Sequence, residues 1–380
     1  MKKKSIFKIG IVELALLFGV STLGVPNICQ PEQVAAATSG KKSLRKFVRH
    51  TMAQNHVRGS VVVIKNGVPQ KISYGYASSN RKIGNGNRKV VYPTGSLQKI
   101  VTGAMIVQIM AEERETNQEF NQNTKIDRWF PDLKNAKKIS VGNLLTHTSG
   151  IKPTNTEVWR KHKYSESAAI KMTVANANKF SFAKGGEYNY NNANYILLAG
   201  IIRQETGQSY QANLHKRIVK PLSLKSTFTA AALPKSKLIA SSYYSNGGAN
   251  YCNTVNLTQA FASQLLGAGN LLTTPMEYYQ IQCGLTDGTI LTQKQFQYLT
   301  NLESKVTAYS GGLHIKKSGK VKIAYGNLHG THFGMWAQLT ADNQNGIIMF
   351  LNQTNDRAAK EKKVGYRILQ HIKPGTFLPE

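Results

Sequence analysis

The clearest helical pattern in the chain follows Ser96. Apolar residues recur there at the i, i+3, i+4 spacing of a buried helix: Leu97, Ile100, Val101, Ala104, Met105, Val107 and Met110. A second buried helix is predicted over 194–205, and Gly207 follows it as a residue that commonly ends helices. Basic segments with one apolar side, over 43–56 and about 356–372, predict two further helices near the ends of the chain.

Apolar and β-branched runs separated by short turn sequences predict three hairpins. The first turn is Asn66-Gly67 and the last is Asn345-Gly346, a dipeptide that tolerates positive φ. The paired segments are 59–65 with 68–76, 312–316 with 321–325, and 334–341 with 347–351. Between the first and second hairpins the chain reads as helices and loops to about residue 300. The sequence therefore predicts an α+β fold: an antiparallel β-sheet flanked by helices and closed by both ends of the chain, with an all-α lobe inserted at about 110–300.

The first 37 residues have the pattern of an export signal. Lys2, Lys3 and Lys4 precede an apolar segment over 9–25, and small residues follow at 35–37. This order is typical of a secretory signal peptide. Because Glu13 interrupts the apolar segment, an uncleaved N-terminal anchor is the alternative. We expect a signal peptide or anchor over 1–37, a short linker over 38–42, a single hydrolase domain over 43–380, and a location outside the cell or on the outer face of its envelope.

The charge balance favours an anionic partner. The 380 residues include 49 Lys and Arg against 19 Asp and Glu, a formal net charge of +30. Such a balance suits nucleic acid, an acidic membrane face or an anionic cell wall. No zinc-finger or RNA-binding signature is present, so nucleic acid is not expected, and membrane contact is expected only through an uncleaved N-terminus. No spacing of metal ligands is found, so we expect no metal or cofactor. Cys252 and Cys283 are either buried thiols or one bridge, and the oligomeric state is not indicated.

Ser96 and Lys99 form the first candidate for catalysis. If a helix begins near Ser96, the two side chains lie one turn apart on one face. A serine hydroxyl needs a base, and a desolvated lysine can be that base because burial disfavours its ammonium form. The pattern S-x-x-K alone is frequent by chance. An N-capping serine with a solvated lysine is the alternative.

Two further stretches strengthen the assignment. They are Leu144-Leu-Thr-His-Thr-Ser-Gly150 and Gly185-Gly-Glu-Tyr-Asn-Tyr-Asn-Asn-Ala-Asn-Tyr195. With the Ser96 motif, they resemble the serine β-lactamase and penicillin-binding-protein superfamily, in the branch of class C β-lactamases, D-Ala-D-Ala carboxypeptidases and D-aminoacyl esterases. The resemblance covers roughly residues 43–370. It implies a β-lactamase/transpeptidase-like fold and a covalent acyl-enzyme.

The second motif of that family, Tyr-x-Asn, matches Tyr190 and Asn192, with Asn191 where most members carry Ser. The resemblance implies that Tyr190 relays protons, with a pKa lowered beside Lys99, and that Asn192 holds Lys99 and a substrate amide. His147, in the first of the two stretches, is expected to be mainly structural.

The third motif, Lys-Thr-Gly or His-x-Gly on an edge strand, is the least regular. The preferred register places Leu328 at the Lys/His position, with His329 and Gly330 next. His329 would then replace the missing cation, and the N–H groups of Ser96 and Thr331 would form the oxyanion hole. The alternative register uses His332.

These features predict an exported serine hydrolase that acts on cell-envelope D-alanyl substrates, either a peptidoglycan peptide or a D-alanyl ester of teichoic acid. A D-Ala-D-Ala carboxypeptidase and a β-lactamase proper are alternatives within the family. A wall-binding pseudoenzyme is the alternative from another class, because the third motif is eroded and the charge is high.

Overall fold

The computed structural model describes residues 38–114, 116, 119–152, 157–159, 161–356, 358–373 and 377. The expected signal segment, 1–37, lies outside these residues. Within the described part of the chain, no helix has both the length and the apolar character needed to cross a membrane.

The secondary structure alternates helices and short strands along the chain. The helices are α1 (Thr38–Gln54), α2 (Lys99–Glu113), α3 (Val141–Thr146), α4 (Glu166–Lys179), α5 (Asn192–Thr206), α6 (Tyr210–Leu214), α7 (Gln259–Ser263), α8 (Pro275–Gly284), α9 (Gln293–Thr300) and α10 (Ala358–Ile372). The strands are β1 (Arg58–Lys65), β2 (Val68–Tyr74), β3 (Tyr76–Ser78), β4 (Ile83–Gly84), β5 (Val90–Pro93), β6 (Phe228–Thr229), β7 (Leu238–Ile239), β8 (Ser242–Asn246), β9 (Ala249–Val255), β10 (Leu271–Thr273), β11 (Tyr309–Ser310), β12 (Leu313–Lys316), β13 (Val321–Gly326), β14 (Gly334–Thr340) and β15 (Gly346–Thr354).

The main sheet joins the two ends of the chain, as predicted. Its strand order is β11-β12-β13-β14-β15-β1-β2, and each neighbouring pair is antiparallel. The central contact is that of β1 with β15, in which Val62 faces Ile348. The three predicted hairpins are β1–β2, β12–β13 and β14–β15, and their tight turns account for their recognition from sequence.

Helices cover both faces of this sheet. On one face, Val48 and Met52 of α1 pack with Val364 and Ile368 of α10 against β1, β14 and β15. On the other face lies the larger core, in which α2 and α5 are almost entirely buried. The fold is therefore α+β, with an antiparallel sheet flanked by helices, as the sequence predicts.

Two local predictions were wrong. The expected linker, 38–42, is the first part of α1. Its polar residues continue the helix because the later part of α1, which carries Val48 and Met52, is held by packing on the sheet. The expected all-α lobe also contains strands. Strands β6, β7 and β10 of this segment form a small second sheet with β5, which precedes the segment, in the order β6-β10-β5-β7, and β8 joins the main sheet by pairing in parallel with β15. Most of these strands have only two or three residues, too few to show a period-2 pattern.

Candidate active site

Ser96 lies on a single 3₁₀ turn, Gly95–Gln98, between β5 and α2. Gly95 has φ +49°, and a Cβ there would lie 3.0 Å from the carbonyl oxygen of Asn327. Glycine is thus required because the chain turns sharply where it passes the end of β13. The α-helix begins at Lys99 rather than at Ser96, yet the two side chains still meet as the i, i+3 spacing predicts.

Lys99 is fully buried and makes three hydrogen bonds. Its Nζ donates to Ser96 Oγ at 2.9 Å, to Asn192 Oδ1 at 2.8 Å and to the Ala268 carbonyl at 3.0 Å. Burial lowers the pKa of Lys99 to about 7, and the nearby charge of Glu157 opposes this shift. A large fraction of Lys99 is therefore uncharged near neutral pH, which is the form that can accept the Ser96 proton.

Tyr190 contacts both Ser96 and Lys99. Its hydroxyl hydrogen-bonds Ser96, and Lys99 Nζ lies 4.9 Å from the centre of its ring. Part of the ring is exposed, but the hydroxyl faces the site, and desolvation raises the pKa of Tyr190 above its usual value. The expected lowering of this pKa was wrong, because loss of water around the phenol outweighs the proximity of Lys99. Tyr190 is thus a neutral phenol, suited to donating a proton.

His147 is buried behind the Tyr190 ring and contacts the segment that carries Tyr190 and Asn192. It ends α3 in a left-handed conformation, and its Nδ1 accepts from the Asn191 N–H at 3.2 Å and from Asn194 Nδ2 at 2.9 Å. Its Nε2 then donates to the Tyr309 hydroxyl at 3.2 Å. Burial lowers the pKa of His147 well below its usual value, so the ring is neutral. The centres of the His147 and Tyr190 rings are 4.3 Å apart, a contact that fits the structural role expected for His147.

Asn192 begins α5 and connects Lys99 to a residue that sequence reasoning missed. While its Oδ1 accepts from Lys99, its Nδ2 donates to Glu157 Oε1 at 2.7 Å. Glu157 belongs to no recognised motif, so no spacing marked it. The Ala268 carbonyl was also missed, and its only signal is the glycine-rich stretch 267–270 that surrounds it.

The third motif lies in the loop between β13 and β14 rather than on a strand. Leu328 is 2% exposed and packs in the larger core, whereas His329 is exposed. The His329 N–H donates to Glu157 Oε2 at 2.7 Å, and Trp159 Nε1 donates to the His329 carbonyl at 3.2 Å. The loop is thus fastened to residues 157–159, which places it close to Asn192.

Gly330 and Thr331 complete a tight turn in this loop. Gly330 has φ +71°, and a Cβ there would lie 2.5 Å from Trp159 Nε1. The Thr331 N–H donates to the Leu328 carbonyl at 3.1 Å, and its hydroxyl donates to the same oxygen at 2.7 Å. The Thr331 amide is therefore engaged within its own loop, and its role in an oxyanion hole stays a prediction. His332, the alternative ligand, is paired with Asp356 at 2.9 Å.

A cavity of about 350 Å³ opens beside Ser96. Ser96 and Tyr190 line it, together with residues of β12, β13 and β14, and with Glu361 of α10. The arrangement provides a serine hydroxyl, an amine that can be uncharged near neutral pH, a neutral phenol and space for a substrate. These are the requirements of acyl transfer through a serine ester. Cys252 and Cys283, both in the described part of the chain, are not joined to each other by a disulfide.

Several known proteins are similar to this chain in sequence and in fold. A teichoic acid D-alanine hydrolase of Staphylococcus aureus is 24% identical over 349 residues, which are 90% of this chain and 82% of that protein. The crystal structure of FmtA from Staphylococcus aureus superposes with a TM-score of 0.72 at 22% identity, covering 92% of this chain and 97% of that one. D-amino acid amidase from Ochrobactrum anthropi gives a TM-score of 0.73 at 20% identity, covering 88% and 99%. The model of the Beta-lactamase family matches residues 44–370, and this chain is therefore a member of the Beta-lactamase family of serine hydrolases.

Proposed function

We propose that this protein releases D-alanine from D-alanyl esters of teichoic acid at the cell envelope, through an acyl-enzyme on Ser96. The observation that carries the proposal is the 2.9 Å contact between Ser96 Oγ and a buried Lys99 whose pKa is about 7. The similarity to a teichoic acid D-alanine hydrolase supports the choice of substrate and of location.

In the proposed reaction, neutral Lys99 accepts the proton of Ser96 as Oγ bonds to the ester carbonyl carbon. The bond from that carbon to the polymer alcohol then breaks, and the alcohol oxygen receives a proton from Lys99 through the Tyr190 hydroxyl. Water adds to the acyl group on Ser96, D-alanine leaves, and the serine regains its proton. Tyr190 serves in the step that protonates the leaving alcohol, because its raised pKa keeps the phenol protonated.

Two features favour an ester over a peptide with a free C-terminus. Leu328 is apolar and buried, so it offers no cation to a substrate carboxylate, a contact worth about 1.5–3 kcal/mol when it forms. The net charge of +30 would also concentrate the protein on a polyanionic polymer, and salt would weaken that attraction. His329 and Thr331 are proposed to contact the substrate, because their loop borders Asn192 through Glu157.

The test is release of free D-alanine from D-alanylated teichoic acid and from a D-Ala-D-Ala peptide, at low and at high ionic strength. We expect faster release from the polymer and a fall with added salt, with Ser96→Ala as the inactive control. Faster release from the peptide, together with no salt effect on the polymer, would reject the ester assignment and indicate a carboxypeptidase.

A further inference from the structure

Glu157 is a carboxylate that contacts two parts of the site: the Asn192 amide, which holds Lys99, and the loop that carries His329. Its Oε1 accepts from Asn192 Nδ2 and its Oε2 accepts from the His329 N–H, both at 2.7 Å. Its charge is close enough to bear on the pKa values of both Lys99 and Tyr190. These contacts hold the carboxylate in a fixed orientation, with the Asn192 amide between it and Lys99.

The negative charge of Glu157 is opposite in sign to the net charge of the protein. The chain carries 49 basic and only 19 acidic residues, and a polyanionic substrate would be repelled by a carboxylate whose charge acts on Lys99 and Tyr190. The hydrogen bonds from Asn192 and His329 use one acceptor site on each oxygen, and a carboxylate oxygen has two. Counting the contacts of the described residues, Glu157 therefore retains the capacity to bind a further donor.

We propose that Glu157 binds the free α-ammonium group of the D-alanyl substrate and so selects acyl groups that carry this charge. The inference rests on the proposed ester hydrolysis. In a D-alanyl ester, the ammonium is attached to the carbon next to the carbonyl that Ser96 attacks, so it enters the site beside the nucleophile. In a peptide substrate the corresponding nitrogen is an uncharged amide, which leaves Glu157 without a cationic partner.

Glu361 is the competing carboxylate, since it lines the cavity that opens beside Ser96. It lies on α10, and its Oε2 occupies the space beside Gly334, where a Cβ would be only 2.4 Å away. Burial raises the pKa of Glu361 to about 7, so it is less fully charged near neutral pH than an ordinary carboxylate. Glu361 is thus the weaker candidate for an ammonium ligand, and it provides a matched control.

The experiment compares two esters that differ in one group: D-alanine benzyl ester, with an ammonium, and D-lactic acid benzyl ester, with a hydroxyl in its place. The readout is the ratio of kcat/KM for the two esters. We expect the wild-type protein to favour the D-alanyl ester roughly 10- to 100-fold, the scale of a hydrogen bond between charged groups. Glu157→Gln should remove most of this preference, whereas Glu157→Asp, which keeps the charge, and Glu361→Gln should retain it.

A purely structural role for Glu157 would lower both rates in proportion and leave the ratio unchanged, and that result would overturn the proposal. Loss of the preference in Glu361→Gln but not in Glu157→Gln would overturn it in favour of Glu361. Equal rates on both esters in the wild-type protein would overturn the role of Glu157 while leaving ester hydrolysis intact. Failure to hydrolyse either ester would instead reject the proposed function and this assignment together.

Discussion

Lys99 Nζ lies 2.8 Å from Asn192 Oδ1, and this contact decides which way the asparagine amide points. The amide nitrogen faces the other side, where it donates to Glu157. One amide therefore separates Lys99, the proposed base, from a carboxylate. The charge of Glu157 opposes the desolvation that lowers the pKa of Lys99, so the charge state of Lys99 depends on both its burial and Glu157.

Activity on a neutral ester should rise with pH through about 7. Lys99 accepts the Ser96 proton only when uncharged, and burial lowers its pKa to about 7. The measurement is kcat/KM for D-lactic acid benzyl ester across the neutral range, because that substrate has no titrating amine. A profile that rises only near pH 10, where exposed lysines lose their proton, would contradict the assignment of Lys99 as the base.

Glu157→Gln should move this pH profile to lower pH. Removing the negative charge withdraws an interaction that favours the ammonium form of Lys99, so the pKa of Lys99 should fall further. The same profile, measured with the D-lactyl ester, reports the shift. Glu187→Gln is the control, since that carboxylate is exposed on the loop before Tyr190 and should leave the midpoint in place. A shift to higher pH in Glu157→Gln would show that the charge of Glu157 does not favour the ammonium form of Lys99.

Tyr190→Phe should slow turnover by roughly 100-fold or more, the usual scale for losing a general acid or base. The substitution removes only the hydroxyl that hydrogen-bonds Ser96, and the ring can keep its packing on His147. Steady-state kinetics with either ester, combined with thermal unfolding, separates catalysis from folding. Unchanged kinetics would reduce Tyr190 to a packing residue.

Gly312→Ala should destabilise the protein by about 3–5 kcal/mol, the range of severe steric and backbone conflicts. Gly312 has φ +109°, and a Cβ there would lie 2.2 Å from the Ile100 backbone nitrogen, in the first turn of α2. Gly319→Ala is a matched control, because φ is +90° and no atom lies within 4 Å of the added Cβ. The control should cost only about 1–3 kcal/mol, from backbone strain. Denaturant unfolding of both variants tests the difference, and equal losses would argue against close packing of Gly312 on the first turn of α2.

The residues that could be found from sequence belong to short motifs with fixed spacing. Ser96 and Lys99 sit one turn apart, and Tyr190 and Asn192 precede a strongly apolar helix, so both pairs were recognisable and the structure brings them together. Glu157 was not recognisable, because it acts through contacts between segments far apart in the chain.

Other differences arise from effects that a sequence pattern does not express. The raised pKa of Tyr190 depends on how completely the fold removes water from its hydroxyl. Leu328 was predicted to occupy the position where the family carries a Lys or His that faces the substrate. It lies in the core instead, because the loop that carries it turns inward at that residue. The strands of the small second sheet escaped detection because each is too short to show alternation.

Acylation of Ser96 is tested most directly by the intact mass of the protein after rapid mixing with D-alanine benzyl ester, followed by acid quenching. We expect a population that carries one D-alanyl group on Ser96, located by peptide mapping, with no such species in Ser96→Ala or Lys99→Met. Hydrolysis of the ester by Ser96→Ala at the wild-type rate, with no adduct on the wild-type protein, would contradict this expectation.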